Sequence, residues 1–216
     1  MALYPLQNFT KETENLTSAA YLRQQRVPLF LLLSLLLLQL FQADLTPWLE
    51  FDRQAIGHGQ WWRLVTGHLV HTNHWHLLMN LGGFLLILLL HGMYYSGRAL
   101  ICLLLAGNLI IGLCLYWLSP AIELYLGLSG FLHALLVCGC FIDIQRHWSS
   151  GWLILIATFA KVVWEQINGA SQEVATLISA EVAIDAHLYG AFVGLLLFSG
   201  WYLAAQHRAP NHQTPS

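Results

Sequence analysis

Apolar residues run along this chain in long blocks, and the blocks recur six times. They cover Val27–Leu45 (dominated by Leu29–Leu40), His74–Tyr94, Arg98–Ser119, about Ser129–Ile144, Gly151–Ile167 and about Glu181–Ala205. Each is near the roughly 20 residues that a helix needs to cross a hydrocarbon core. The pattern predicts an all-α polytopic membrane protein, a six-transmembrane-helix bundle over residues 27–205. A short segment, 1–26, precedes it and a short tail, 206–216, follows. Arg23 and Arg26 ahead of the first leucine run resemble the start of a signal peptide. The run is too long for one, however, and no small-x-small site follows, so it is expected to be a retained helix.

Composition narrows the function classes. Of 216 residues, 57% are hydrophobic and 9% charged, where an ordinary soluble domain carries about 25% charge. A soluble globular enzyme and a disordered chain are excluded. The net charge of −2 leaves no basic surface for a phosphate backbone, so a nucleic-acid partner is excluded too. Six spans put both termini on one side, with Lys11, Arg23, Arg26, Arg98, Arg146 and Arg208, six of the nine basic residues. Arg53, Arg63 and Lys161 fall on or near the other side, with Asp44, Glu50, Asp52, Glu123, Glu165, Glu173, Glu181 and Asp185. The positive-inside rule then predicts cytoplasmic termini and a first loop, Asp44–Asn73, facing the periplasm or its equivalent.

Cys102, Cys114, Cys138 and Cys140 all lie within spans, and Cys138-Gly-Cys140 has the wrong spacing for a zinc pair, so packing roles are expected. The sequons at Asn8 and Asn15 would go unused on a cytoplasmic segment.

Polar residues at hydrocarbon depth are costly and tend to line a site. Three clusters qualify. Gly127-Leu128-Ser129-Gly130 opens the fourth run, 17 residues before Arg146. That is roughly 25 Å of helix against a core of about 30 Å, so the helix starts below the membrane surface. Ser129 is there either a helix cap or a nucleophile among free backbone N–H groups. In the sixth run, Ala186, Gly190 and Gly194 form a small-residue ridge with His187 at its edge. His187 reads as an interhelical hydrogen-bonding residue or as the base for a serine on the neighbouring helix. Asp185, two residues away, points off that face. The third cluster contains His68, His71, His74, His76 and Asn80. His76 and Asn80 share a helical face, and a buried Asn amide can donate to an oxyanion. Metal binding by the four histidines is the rival reading, but no acidic residue lies among them and His-Glu-x-x-His is absent; no metal or cofactor is predicted.

Trp62-Arg63, His71 with His76-x-x-x-Asn80, Gly127-x-Ser129-Gly130 and His187-x-x-Gly190-x-x-x-Gly194, in this order, resemble the rhomboid family of intramembrane serine proteases. The resemblance implies Ser129 as nucleophile and His187 as general base, a dyad without an acid. It implies an oxyanion hole of His76, Asn80 and backbone N–H groups around Leu128 and Ser129. It also implies structural roles near the site for His71, Gly127, Gly130, Gly190 and Gly194. One departure is His133, where many bacterial members place an aromatic residue that stacks on the catalytic histidine. At i+4 from Ser129 it is expected to line the cavity and to stack on, hydrogen-bond to or compete with His187.

The compact core, with almost no soluble N-terminal domain and no seventh helix expected, and Gly127-Leu-Ser-Gly followed by Leu132-His133, is most similar to the rhombosortase branch. That resemblance implies bacterial surface or secreted substrates with a C-terminal Gly-Gly, hydrophobic helix and basic tail. It also implies residence in the bacterial inner membrane, with the active site open to the periplasm. A general rhomboid protease for other single-span proteins, and a non-catalytic rhomboid-like binder of membrane segments, are the alternatives. A transporter is disfavoured for want of an inverted repeat. The polar stretch Ile167–Ala180 is expected to cap the cavity and move, with an inert connector as the alternative, and Trp48, Trp61, Trp62 and Trp75 to anchor the first loop at the interface.

Overall fold

A computed structural model describes the backbone of residues 18–208 and the side chains of residues 26–203. The two sequons and the side chains of Lys11, Arg23 and Arg208 lie outside the described residues. The first helix, α1 (Ser18–Leu40), does not continue to Leu45 as the apolar run suggested. It breaks at Phe41, and α2 (Gln42–Leu49) leaves at a bend of 106°. The polar composition of Gln42-Ala-Asp44 and the Pro47 ring give the chain reason to leave the apolar layer here.

The first loop is built, not loose. After α2 come strand β1 (Phe51–Asp52), α3 (Arg53–Gly57), α4 (Arg63–Thr66) and a 3₁₀ turn, Gly67–Leu69. Two arginines hold it. Arg63, buried, donates to the carbonyls of Glu50 (2.8 Å) and Pro47 (2.7 Å) and to Gln60 Oε1 (2.8 Å). Arg53 donates to the carbonyls of Leu115, Tyr116, Ser119 and Ile122, at and just beyond the end of a later helix. These are carbonyls that a helix end or turn leaves unpaired, and a guanidinium supplies several donors at once.

The bundle follows: α5 (His74–His91), α6 (Gly97–Leu118), strand β2 (Leu124–Tyr125), α7 (Ser129–Gln145), α8 (Ser149–Asn168), α9 (Gln172–Ile178) and α10 (Ile184–Arg208). Strands β1 and β2 pair antiparallel, Phe51 opposite Tyr125, which ties the first loop to the segment entering α7. Helix α7 is central, packing on α5, α6, α8 and most extensively on α10. Its apolar surroundings include Phe84, Leu100, Phe131 and Leu135 on one side and Ile111, Leu115 and Ala186 on the other. Leu, Phe and Trp side chains cover the outside, as expected for a surface whose solvent is lipid.

Among the described residues α5, α6 and α10 are long and apolar enough to cross a membrane, and the bent α1–α2 pair makes a fourth if counted as one span. Helix α7 is apolar but has only 17 residues. Helix α8 has 20, but Lys161 and Glu165 interrupt its apolar course. The protein is therefore an all-α, multi-pass membrane bundle, with one two-residue ladder among the described residues.

Candidate active site

The site forms where α7 and α10 meet, and glycines decide how closely they meet. A Cβ on Gly190 would collide with the carbonyl oxygen of Gly130, and one on Gly194 with that of Ala134. A Cβ on Gly130 would in turn lie 2.9 Å from the carbonyl oxygen of Ala186. The helices thus approach backbone to backbone, the close packing that small residues permit in a membrane.

Ser129 is the first residue of α7. Leu128, not Ser129, occupies the cap position, and no side chain caps the helix. The Ser129 hydroxyl is instead 2.9 Å from His187 Nε2, one turn into α10. The cap reading of the serine is thereby replaced by a serine–histidine hydrogen bond. Helix α7 can start here because Gly127 has φ of +119°, a backbone state that L side chains rarely adopt. Gly127 is also fixed from both sides, its N–H donating to the Gly67 carbonyl (3.1 Å) and its carbonyl accepting from Tyr125 Oη (2.5 Å).

The face of Gly127 is occupied by the third cluster. A Cβ there would lie 2.6 Å from His76 Nε2 and 3.8 Å from Asn80 Nδ2. So His76 and Asn80, both buried, converge on the turn that precedes the serine. Asn80 donates one amide hydrogen to the His76 carbonyl (3.2 Å). His76 Nδ1 faces Thr72 Oγ1 at 3.1 Å. His71 is buried with its ring edge-on to His76, centroids 5.1 Å apart. Neither of its ring nitrogens has a hydrogen-bond partner among the described residues. Burial, with the neighbouring His76 second, pushes the His71 pKa down to about 3 and so keeps the ring neutral. His68 packs against Tyr125 and His74 against Trp75. Among the described residues no three His, Cys, Asp or Glu side chains are gathered as a metal would require.

Two charged residues that the sidedness pattern places on or near the periplasmic side enter the site. Glu165 Oε2 lies 2.9 Å from His187 Nδ1, and Lys161 Nζ lies 2.8 Å from the same carboxylate oxygen. Lys161 Nζ is also 3.2 Å from His133 Nε2. His133 stacks on His187, centroids 4.4 Å apart and planes at 22°, and its Nδ1 lies 2.8 Å from the Ser129 carbonyl. Asp185 is directed elsewhere, accepting from Ser119 Oγ beside Tyr189.

The polar stretch between α8 and α10 contains α9, and it is latched to the start of α5. Thr72 Oγ1 donates to the Ile178 carbonyl (2.6 Å), and Asn73 Nδ2 to the Leu177 carbonyl (3.0 Å).

A family model, the rhomboid domain, matches residues 58–206. The chain belongs to the rhomboid family. It is 30% identical over 150 residues to the protein named "Putative rhomboid protease YdcA" of Bacillus subtilis (strain 168), covering 66% of this chain and 68% of that one. The matched stretch of this rhomboid contains His76, Asn80, Ser129, Glu165 and His187, and leaves out α1 and α2. Rhomboids are intramembrane serine proteases acting on transmembrane proteins, and at that level the family assigns the chain its enzyme class.

Proposed function

We propose that this rhomboid hydrolyses a peptide bond in or beside a transmembrane segment, with Ser129 as nucleophile and His187 as general base. The observation that carries the reading is the 2.9 Å hydrogen bond between Ser129 Oγ and His187 Nε2 across the α7–α10 contact. As Ser129 Oγ attacks the carbonyl carbon, its proton passes to His187 Nε2. The carbonyl oxygen becomes an oxyanion, and its donors are Asn80, His76 and the N–H groups of Leu128, Ser129 and Gly130 at the helix start. His187 then gives its proton to the departing amine, leaving an acyl-enzyme. Water, deprotonated by His187, attacks the ester, releases the acid and restores Ser129.

In this reading residues 27–205 are the protease domain, and α7 and α8 join the other four as spans. Segments 1–26 and 206–216 lie in the cytoplasm, and the site opens to the periplasmic side of a bacterial inner membrane. The substrates are those of the rhombosortase branch, proteins with a C-terminal Gly-Gly, hydrophobic and basic tail. The excess of basic residues on the terminal side supports the orientation. Small residues at Gly127, Gly130 and Gly190 support a compact site.

The test is cleavage by wild type and Ser129→Ala, reconstituted in liposomes, of a tail-bearing and a generic single-span substrate, with the cut mapped by mass spectrometry. Cleavage of the tail-bearing protein by wild type alone is expected. Cleavage of only the generic substrate would remove the rhombosortase assignment, and cleavage by Ser129→Ala would remove the nucleophile.

A further inference from the structure

The hydrogens around His187 have one self-consistent arrangement, and it gives Glu165 and Lys161 defined tasks. His133 Nδ1 faces a carbonyl, that of Ser129, which only accepts; Nδ1 therefore carries the hydrogen. The Nε2 of the neutral His133 ring is then an acceptor, and Lys161 donates to it. Lys161 donates to Glu165 as well. Glu165, a carboxylate, only accepts, so the hydrogen in its 2.9 Å contact with His187 belongs to Nδ1. That leaves the His187 Nε2 lone pair facing the Ser129 hydroxyl. Lys161 also lies 3.1 Å from His187 Nδ1, but with that nitrogen protonated the two donors share the Glu165 oxygen and do not bond each other.

We propose that Glu165 is a positioning residue for His187, holding the tautomer whose Nε2 can take the serine proton and stabilising the imidazolium once it has. Lys161 acts one step further out, anchoring Glu165 and occupying the lone pair of His133. The inference rests on the nucleophile and base roles given to Ser129 and His187 above. The proton moves from Ser129 Oγ to His187 Nε2 and on to the leaving amine. None passes to Glu165, which stays ionised throughout. Before reaction the Lys161 and Glu165 charges cancel; during it the imidazolium is balanced by the oxyanion. His133, with one nitrogen committed to the Ser129 carbonyl and the other to an ammonium, has no lone pair free to compete as base.

Two features separate this from an ordinary i,i+4 surface pair. The Glu165 side chain is only 13% exposed, and the His187 it touches is buried, so the contact is less screened than one in water. Lys161 and Glu165 are also the sole charges between Gly151 and Ile167, in a helix otherwise apolar enough to be read as a span.

The experiment uses the full chain in detergent and a rhodamine fluorophosphonate as the probe of Ser129, with kinact and KI taken from the concentration dependence of labelling. Glu165→Gln is expected to lower kinact by about 10²-fold or more with KI nearly unchanged, because the amide can donate to Nδ1 and favour the unreactive tautomer. Glu165→Asp, which keeps the carboxylate at shorter reach, is expected to recover about tenfold over Glu165→Gln while staying below wild type. Lys161→Met is expected to cost about three- to thirtyfold. Equal kinact in wild type and Glu165→Gln would overturn the proposal, as would a Glu165→Asp protein no faster than Glu165→Gln. Should Glu165→Gln not fold, a Glu165→Asp protein as fast as wild type would overturn it. Wild type that leaves Ser129 unlabelled would instead remove the nucleophile reading beneath it.

Discussion

His133 lies flat against His187 while its own Nδ1 reaches back to the carbonyl of Ser129, so the residue four positions after the serine grips both partners of the Ser129–His187 hydrogen bond. A stacked ring with its nitrogens engaged supports the base without replacing it. His187→Ala is expected to reduce cleavage by about 10³-fold or more, within the range that removal of a catalytic base produces. His133→Phe keeps the ring and loses both hydrogen bonds, and should reduce it by only about three- to tenfold. Initial rates on one peptide substrate check the pair. A His187→Ala protein that keeps its rate while His133→Phe loses it would exchange their roles.

The contact between Gly130 and Gly190 leaves no room for a methyl group. Gly190→Ala should therefore push α10 from α7, destabilise the protein by about 1–3 kcal/mol and lengthen the serine–histidine bond. Gly200→Ala, on the same helix where a Cβ would meet nothing within 4 Å, should change neither. Melting temperature in detergent and fluorophosphonate labelling of the two variants provide the comparison.

Asn73 serves two structures at once. Its Oδ1 accepts the His76 N–H and caps α5, and its Nδ2 donates to Leu177 and Ser179 across the latch. Asn73→Asp keeps the cap, an acidic side chain being favoured at a helix N-terminus, and removes both donated bonds. The expected outcome is an unchanged α5 with about five- to thirtyfold faster hydrogen exchange in α9, the effect of losing about 1–2 kcal/mol of local bonding. Exchange measured by mass spectrometry separates the two segments. Unaltered protection in α9 would mean that the Asn73 side of the latch contributes nothing.

His71 makes stability depend on pH. Its pKa in the fold is about 3, against about 6.5 when exposed, so the unfolded chain binds a proton more readily. The contribution of the neutral ring is complete above about pH 6.5 and is lost progressively as pH falls toward 3. His71→Phe keeps a ring against His76 and cannot titrate. Its melting temperature should fall less steeply than that of wild type between pH 7 and pH 4. Parallel curves would show that His71 carries no such linkage.

The apolar blocks located the helices because hydropathy depends on composition alone. His74–Tyr94 and Ser129–Ile144 differ from the observed elements by little more than a turn at their ends. The break at Phe41 has a sequence signal, since Gln42 and Asp44 follow it at once, but the 106° bend does not, because polarity sets where a helix leaves the apolar layer and not at what angle. The first loop was missed for another reason. Its order comes from Arg53 and Arg63 reaching carbonyls up to 69 residues away, and no local pattern encodes such a reach.

Ser129, His187, His76 and Asn80 were legible because each is a polar residue in an apolar stretch. By the same criterion Lys161 and Glu165 should have been, being four apart on one face of the fifth block. Their charges also fit the periplasmic end of a span, so the sidedness pattern accounts for them without any role at the site.

The seam between α7 and α10 has one more consequence. With Gly130 against Gly190 and Ala134 against Gly194, main chain rests on main chain along the seam that carries Ser129 and His187. Wedging that seam apart would part Ser129 from His187 and break their hydrogen bond. On the proposed mechanism, what yields to admit a membrane segment lies away from that seam, as the α9 latch does. In that mechanism the Ser129–His187 seam is a fixed wall, and the door is somewhere else.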